Sequence, residues 1–320
     1  MNRHELIIQR GTEAILPVVI GSVTWDVDRF GSAGRLVFTV LNDEDMIAEE
    51  GDPVRFKVGD VTVFYGFIFR VRVSEDTVQV TAYDQLRYLK NKDTMVYKNL
   101  TADGLIRRIA GEFNLQTGTL APTGYVIPPR IEDNQTLADM IKNALDLTLQ
   151  NNTKLYVMYD VEGRITLTDI EAMRLDILLD GEACTSVEMD SSIDGNTYNK
   201  IKLTRPNETT GLRDVFIAQD SGNINRWGVL QYFDTLKDGE NGKAKADALL
   251  ELLNRPDRSL TAKNVIGDLR VRGGSSLAVR VNLGAKTVNN FVIVDSVRHT
   301  FADGEHFMDL KLRGGEGTNA

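Results

Sequence analysis

Hydrophobic and polar residues alternate over long stretches of this chain. Between Asp52 and Leu89, Val54, Phe56 and Val58 alternate with Arg55 and Lys57, and Gly59 and Asp60 interrupt the run. Val61, Val63, Tyr65, Phe67, Phe69, Val71 and Val73 then keep a period of two. Ser74–Thr77 is a polar turn, after which Val78, Val80 and Ala82 resume the alternation. This period, broken by turn residues, predicts an antiparallel meander with one buried face. Tyr83, Leu86, Tyr88 and Leu89 close it around a short turn. The meander holds no residue suited to catalysis, which points to a structural or binding module. Upstream, the compact apolar run Ile15–Val19 and the segments Val23–Val27 and Arg35–Leu41 read as strands, with a turn at Phe30–Gly34. Asn42–Asp45 precedes a single capped helical turn at Met46–Glu50. Residues 1–92 are thus expected to form a first β-barrel.

The same pattern returns near the end of the chain. Gly51–Gly59 has a looser counterpart in Gly274–Gly284: a Gly, an alternating strand with a Val-Arg step, and a Gly turn. A second strand follows each, Phe64–Val71 in one and Asn290–Val297 in the other. Polar turns come next, Ser74–Thr77 and Ala302–Glu305, and then third strands, Val78–Ala82 and Phe307–Leu312. The pattern reads as an internal repeat, although two unrelated three-strand meanders would look alike.

The texture changes between the copies. Thr101 fits a helix N-cap, followed by Leu105, Ile106, Ile109, Ala110 and Phe113 on one face. Gly118–Pro129 reads as a loop. Thr136 with Asp139 is a capping-box variant, and Leu137, Ile141, Ala144, Leu145 and Thr148 mark a second buried stripe. Lys154–Asp160 and Arg164–Asp169 form a hairpin. Residues 93–183 are therefore expected to be an α+β domain. From 184 to 313 the chain reads as a second β-barrel, with strands at Ser186–Met189, Asn199–Arg205, Asp214–Ala218 and Val229–Leu236. It includes a turn at Asp220–Asn225 and a helix at Gly242–Asn254 ended by Pro256. The Gly-rich residues 314–320 read as a flexible tail. The fold class is mainly β with an α+β insertion: two tube-like β-barrel domains in one chain plus a small α+β domain.

Composition narrows the chemistry. A formal net charge of -9 argues against nucleic acid or an anionic membrane as the main partner. It leaves room for an acidic channel that repels DNA and lets it slide, with more carboxylates than basic groups on its wall. Cys184 is the only cysteine, so no intrachain disulfide and no cysteine-based zinc site forms. The first residues lack the apolar run of a signal peptide, and no window approaches the roughly 18 apolar residues that span a bilayer, so no membrane insertion is expected. His299 and His306, with Asp303 and Glu305 between them, are the one metal-like cluster, and they flank a hairpin turn as possible cross-strand neighbours. Two histidines fall short of the three protein ligands a zinc site normally needs, and a solvated hairpin tip accounts for them. Gly273–Ser276 lacks the Gly-Lys-Ser/Thr of a phosphate loop. No nucleophile elbow or Cys-His pair is present. The reading is no catalytic residue, no cofactor-binding residue, no metal ligand and no cofactor.

In their order, three segments resemble a known family. They are the closure Tyr83–Leu89, the helix Thr101–Leu115 directly after it, and the late helix followed by Asn264–Gly273 and Val292–His299. Together they resemble the baseplate hub proteins of contractile phage tails and tail-like particles, in particular the branch of Gram-positive myophages and defective prophages related to the late control protein D family. The resemblance implies a non-enzymatic structural hub. It would be a homotrimer of pseudo-sixfold outline joining the sixfold tail tube to the threefold central spike, so its partners would be the tube or tube-initiator protein, the spike and other baseplate proteins. DNA would meet it only by passage through the channel. The location implied is the baseplate of a virion or tail-like particle assembled in the bacterial host cytoplasm. Two alternatives stand beside it: a cell-wall or carbohydrate-binding tail protein, and the hub part of a secretion-system spike. No spare domain follows the second barrel, which argues against a fused enzyme or a β-helix spike.

Overall fold

The computed structural model describes residues 4–29, 32–42, 48–207, 211–236, 241–284 and 286–314. Met46 and Ile47 of the capped turn expected at Met46–Glu50, the first half of the Phe30–Gly34 turn and nearly all of the 314–320 tail lie outside the described residues, while Ala48–Glu50 are described and are not helical. The strands begin with β1 (His4–Arg10), β2 (Glu13–Ile15), β3 (Val23–Asp28), β4 (Arg35–Leu41), β5 (Pro53–Val58), β6 (Val61–Val73) and β7 (Thr77–Tyr83). The middle of the chain forms β8 (Lys92–Tyr97), α1 (Ala102–Glu112), β9 (Thr117–Leu120), β10 (Arg130–Thr136), α2 (Leu137–Asn152), β11 (Tyr156–Val161), β12 (Arg164–Asp169) and β13 (Arg174–Asp180). Then come β14 (Ser186–Ser192), β15 (Lys200–Pro206), β16 (Arg213–Gln219), α3 (Ser221–Trp227), β17 (Gln231–Thr235) and α4 (Gly242–Leu253). The chain closes with β18 (Asp257–Ile266), β19 (Ser276–Asn282), β20 (Thr287–Ala302) and β21 (Glu305–Arg313).

The fold is mainly β with an α+β insertion, as the patterning predicts. The two β modules, however, are not separate sheets. They belong to one 13-stranded sheet, in which β14, β18, β21, β20, β3, β4, β7, β6, β5, β1 and β2 follow one another and β13 and β19 pair beside β20. The cause is the length of β20. Its first part pairs with β19, from Thr287 to Ile293, and on the same edge its second part pairs with β3, from Ser296 to Phe301.

The internal repeat is visible in the hydrogen bonding. β5–β6–β7 and β19–β20–β21 are both antiparallel meanders, and Pro53 lies opposite Phe67 as Ser276 lies opposite Ile293. β6 bulges between Ile68 and Arg70 against β7, and β20 bulges between Val294 and Ser296 against β21. In the alignment of the repeats these are the same position, with Phe69 matching Asp295. Gly51 N donates to Ile68 O (2.8 Å) and Ile68 N to Asp52 O (2.9 Å), while Gly274 N donates to Val294 O and Val294 N to Ser275 O (both 2.8 Å). A bulge is a specified feature of a strand, so the shared bulge and shared bonds mark one supersecondary unit used twice. The chemistry at the bulge has diverged. Phe69 packs edge-on against Tyr83 at 5.6 Å, whereas Asp295 accepts from Arg29 and from Arg313 at 3.0 and 2.6 Å.

Between the copies, α1 and α2 begin as their caps predict. Thr101 Oγ1 accepts from Gly104 N (3.3 Å) and Thr136 Oγ1 from Asp139 N (3.1 Å). Leu105, Ile106, Ile109, Leu137, Ile141 and Ala144 are buried together with Ile165 and Leu167 of β12. Leu86 and Leu89, from the short 3-10 turn that closes the first meander, belong to the same core. The segment expected as a loop, Gly118–Pro129, holds most of β9, which pairs in parallel with β12, and leads into β10, which pairs with β8.

Contacts divide the chain into Met1–Glu188 with Thr261–Ala320, and Met189–Leu260. The second unit is a three-stranded sheet in the order β16, β15, β17. Ile201, Leu203, Ala218 and Leu236 are buried there with Ala246 of α4. The span 184–313, expected as one barrel, therefore contains a compact body of its own. The boundary at 183 is also not one the strands respect, because β13, inside the expected α+β span, pairs in parallel with β19. Parallel pairings between distant segments leave no trace in local periodicity. The turn expected at Asp220–Asn225 is the start of α3, with Asp220 Oδ1 accepting from Asn223 N (2.9 Å).

Gly51 and Gly274 hold φ of +99° and +95°. A Cβ at Gly51 meets nothing within 4 Å, but one at Gly274 would lie 2.8 Å from both methyls of Val157. Gly51→Ala is expected to cost about 1–2 kcal/mol from backbone strain alone, and Gly274→Ala to cost more. Thermal unfolding of both variants checks this, and equal losses would contradict the Gly274 contact.

Candidate functional site: the joint of the two repeats

The β3–β20 joint places one pair of groups on each face of the sheet. Trp25 and His299 are opposite in register and stack inward with ring centroids 4.7 Å apart. Asp26 and Arg298 are opposite in register and pair outward, with Arg298 Nε donating to Asp26 Oδ1 at 2.6 Å. Arg35 of β4 donates to the other oxygen of Asp26, also at 2.6 Å. A charged row thus crosses the joint, continued by Asp309 of β21, opposite Arg298, and by Lys263 of β18, 3.0 Å from Asp309. The row lies in a surface pocket of about 490 Å³ whose further lining includes Arg87, Lys90 and Lys311.

The histidines highlighted by the sequence do meet. His299 Nδ1 is 2.9 Å from His306 Nε2, and His299 Nε2 is 3.0 Å from the Val271 carbonyl. Phe301 stacks on His306 at 4.3 Å, and His4 of β1 packs edge-on against Phe301 at 5.5 Å. Neither Asp303 nor Glu305 joins them, and among the described residues no group of three or more His, Cys, Asp or Glu is placed to hold a metal ion. Burial, followed by the charge of His306, pushes His299 down to about 3; burial, followed by His4, pushes His306 down to about 4. At neutral pH both rings are uncharged, so the cluster is an aromatic core with internal hydrogen bonds.

A second buried cluster was not visible in the sequence. Asp84, the cap of the 3-10 turn, accepts from Gly34 N (2.8 Å) and Leu86 N (3.0 Å). A Cβ on Gly34 would sit 2.6 Å from the Asp84 carboxylate, so the approach requires glycine. Next to it, Gln85 donates to Gln116 O (2.9 Å) and to Asp160 Oδ2 (3.2 Å) and accepts from Gln116 N (2.9 Å). Arg272, which precedes β19, donates to the Asp160 carbonyl at 3.3 Å and lies over the Tyr159 ring at 4.6 Å. One network therefore ties the first meander, the α+β insertion and the entry to the second meander. Burial, then the charge of Asp160, pushes Asp84 well above the ordinary carboxylate range. Burial also raises Asp160 to about 6, with Arg272 opposing. Each member alone reads as an ordinary polar residue near a turn; only an Asp capping an apolar turn gave a local hint.

This arrangement offers interlocked sheet edges and buried polar ties, and no nucleophile–base pair or ligand set among the described residues. The fold is shared with proteins of phage tails and secretion machines. The 43 kDa tail protein of prophage MuSo2 from Shewanella oneidensis matches with a TM-score of 0.70, covering 97% of both chains at 10% identity. The E. coli c3393 protein matches with a TM-score of 0.60 at 12% identity, covering 99% of this chain and 79% of that one. It is a component of the type VI secretion system with structural similarity to the T4 bacteriophage tail proteins gp27 and gp5. The fold is thus one found in phage tail proteins and in a type VI secretion component. The phage-like element PBSX protein XkdQ of Bacillus subtilis (strain 168) is 29% identical over 318 residues, 96% of each chain. The model of the YQBQ-like family matches residues 23–313, and the chain belongs to that family. No helix among the described residues is long and apolar enough to cross a membrane.

Arg272→Met removes the cation that faces Asp84 and Asp160. Asp160, with its folded pKa raised to about 6, is mostly neutral at pH 5 and charged at pH 8, so the loss falls mainly on the alkaline side. Destabilisation of about 3 kcal/mol is expected at pH 8, and clearly less at pH 5. Urea unfolding at the two pH values checks this; an equal or larger loss at pH 5 would contradict it.

Proposed function

We propose that the protein is the structural hub of a contractile-tail baseplate, a trimeric ring of pseudo-sixfold outline that joins a sixfold tail tube to a threefold central spike. The observation that carries this is the duplicated meander with its shared bulge and shared backbone bonds. A chain with two like sheet modules, closed as a ring of three, presents six like modules. Such a surface matches a sixfold ring on one side while keeping true threefold symmetry for a spike on the other. Closed cyclic symmetry is the ordinary way for head-to-tail contacts to terminate.

On this reading the work is done by surfaces, without turnover. The partners are the tube or tube-initiator protein, the spike and neighbouring baseplate proteins, within a virion or tail-like particle assembled in the host cytoplasm. DNA passes through the channel without being held. Given the net charge of -9, the channel wall carries more carboxylates than basic groups. Light scattering of the purified chain over a concentration series is expected to give the mass of three chains. A stable dimer or tetramer, or a monomer at every concentration, would contradict the ring.

A further inference from the structure

A strand edge exposes backbone donors and acceptors that favour another strand. In this chain one of two equivalent edges is filled and the other is open. β20 continues past β19 and, beyond its bulge, receives β3 on the same edge. β6 is built alike. It pairs with β5 up to Phe67, bulges, and continues to Val73 with β7 on its other edge. Beyond the bulge, Arg70–Val73 has no strand on the β5 side among the described residues. The two strand ends also match in sequence: Val71-Arg72 occupies the position of Val297-Arg298.

The strand that fills the second joint has a counterpart as well. In the sheet order β3 precedes β4, β7, β6 and β5, and β14 precedes β18, β21, β20 and β19. β14 thus holds in the second repeat the place that β3 holds in the first, and among the described residues it ends the sheet without a further partner. Val187-Glu188-Met189-Asp190 repeats the pattern of Val23-Thr24-Trp25-Asp26, with apolar residues on one side and an Asp on the other. The charges are complementary. The side chains of Arg70 and Arg72 make no ion pair or hydrogen bond among the described residues, and neither do those of Glu188 and Asp190. Val73 is 65% exposed, where its equivalent His299 is fully buried against Trp25.

We propose that β14 of one chain pairs antiparallel with Arg70–Val73 of β6 in a second copy, in the register of the β3–β20 joint. This rests on the ring reading above and supplies its contact. Arg72 then faces Asp190 as Arg298 faces Asp26, and Met189 covers Val73 as Trp25 covers His299. The contact is strand addition to an open edge, with backbone hydrogen bonds giving affinity and the side chains fixing register. β14 and β6 lie far apart in the sheet of one chain, so the edges are met by a neighbour, and each copy both gives and receives a strand.

The test uses the full chain. Arg72→Asp and Asp190→Arg are each expected to raise the concentration needed for half-assembly at least about tenfold, with unchanged thermal unfolding of the monomer, and the double swap to restore assembly. In a Cys184→Ser background, Arg72→Cys with Asp190→Cys is expected to give disulfide-linked trimers under oxidation. A chain of trimer mass that forms no such disulfide and ignores the charge variants would overturn this edge assignment and leave the ring standing. A disulfide within a single chain would overturn it too. A wild-type chain that stays monomeric at its highest soluble concentration would overturn the ring and this contact together.

Discussion

The pairing of Val23–Asp28 with Ser296–Phe301 is the constraint on which the rest of the first unit depends. Strands from opposite ends of the chain become neighbours, and two meanders become one sheet. Loop closure over such a span is costly in entropy, so the joint needs contacts on both faces. It has them: a Trp25–His299 stack inside and an Asp26 carboxylate shared by Arg298 and Arg35 outside. The bulge at Asp295 lets β20 change partner from β19 to β3 in mid-strand, and Arg29 and Arg313 hold it there.

The Asp84–Gln85–Asp160–Arg272 network does for the insertion what the joint does for the sheet. Two carboxylates and a guanidinium are withdrawn from water, which is costly unless each finds partners. Here backbone N–H groups of Gly34, Leu86 and Gly163 donate to the carboxylates, and the guanidinium donates to the Asp160 carbonyl. Such a network adds little net stability, but it penalises any other placement of the α+β layer. The histidine cluster, neutral at physiological pH, serves the same end with stacked rings.

Much of this was legible in the residues. Period-two alternation located β3 to β7, and Thr101 and Thr136 announced both helices by the caps they form. The repeat was readable because Gly51 and Gly274 recur at positions that need positive φ. His299 and His306 were read as possible cross-strand neighbours at a solvated hairpin tip; they meet diagonally across the β20–β21 hairpin, but His299 is fully buried, because Trp25 of the distant β3 covers it. What local pattern does not carry is which distant strands meet. The parallel pairs β9–β12 and β13–β19, the separate body at 189–260 and the Asp84–Arg272 network all come from contacts between remote segments. Thr117–Leu120 is too short and too polar to show a period, and Asp160 looks like any hairpin residue.

The central claim is that one sheet module is used twice per chain and six times per particle. Electron microscopy of the assembled particle, viewed down its axis and averaged with threefold symmetry only, tests it most directly. The account predicts six similar lobes around an open centre, with alternate lobes differing in detail. Three lobes, or open filaments with no closed ring, would contradict it.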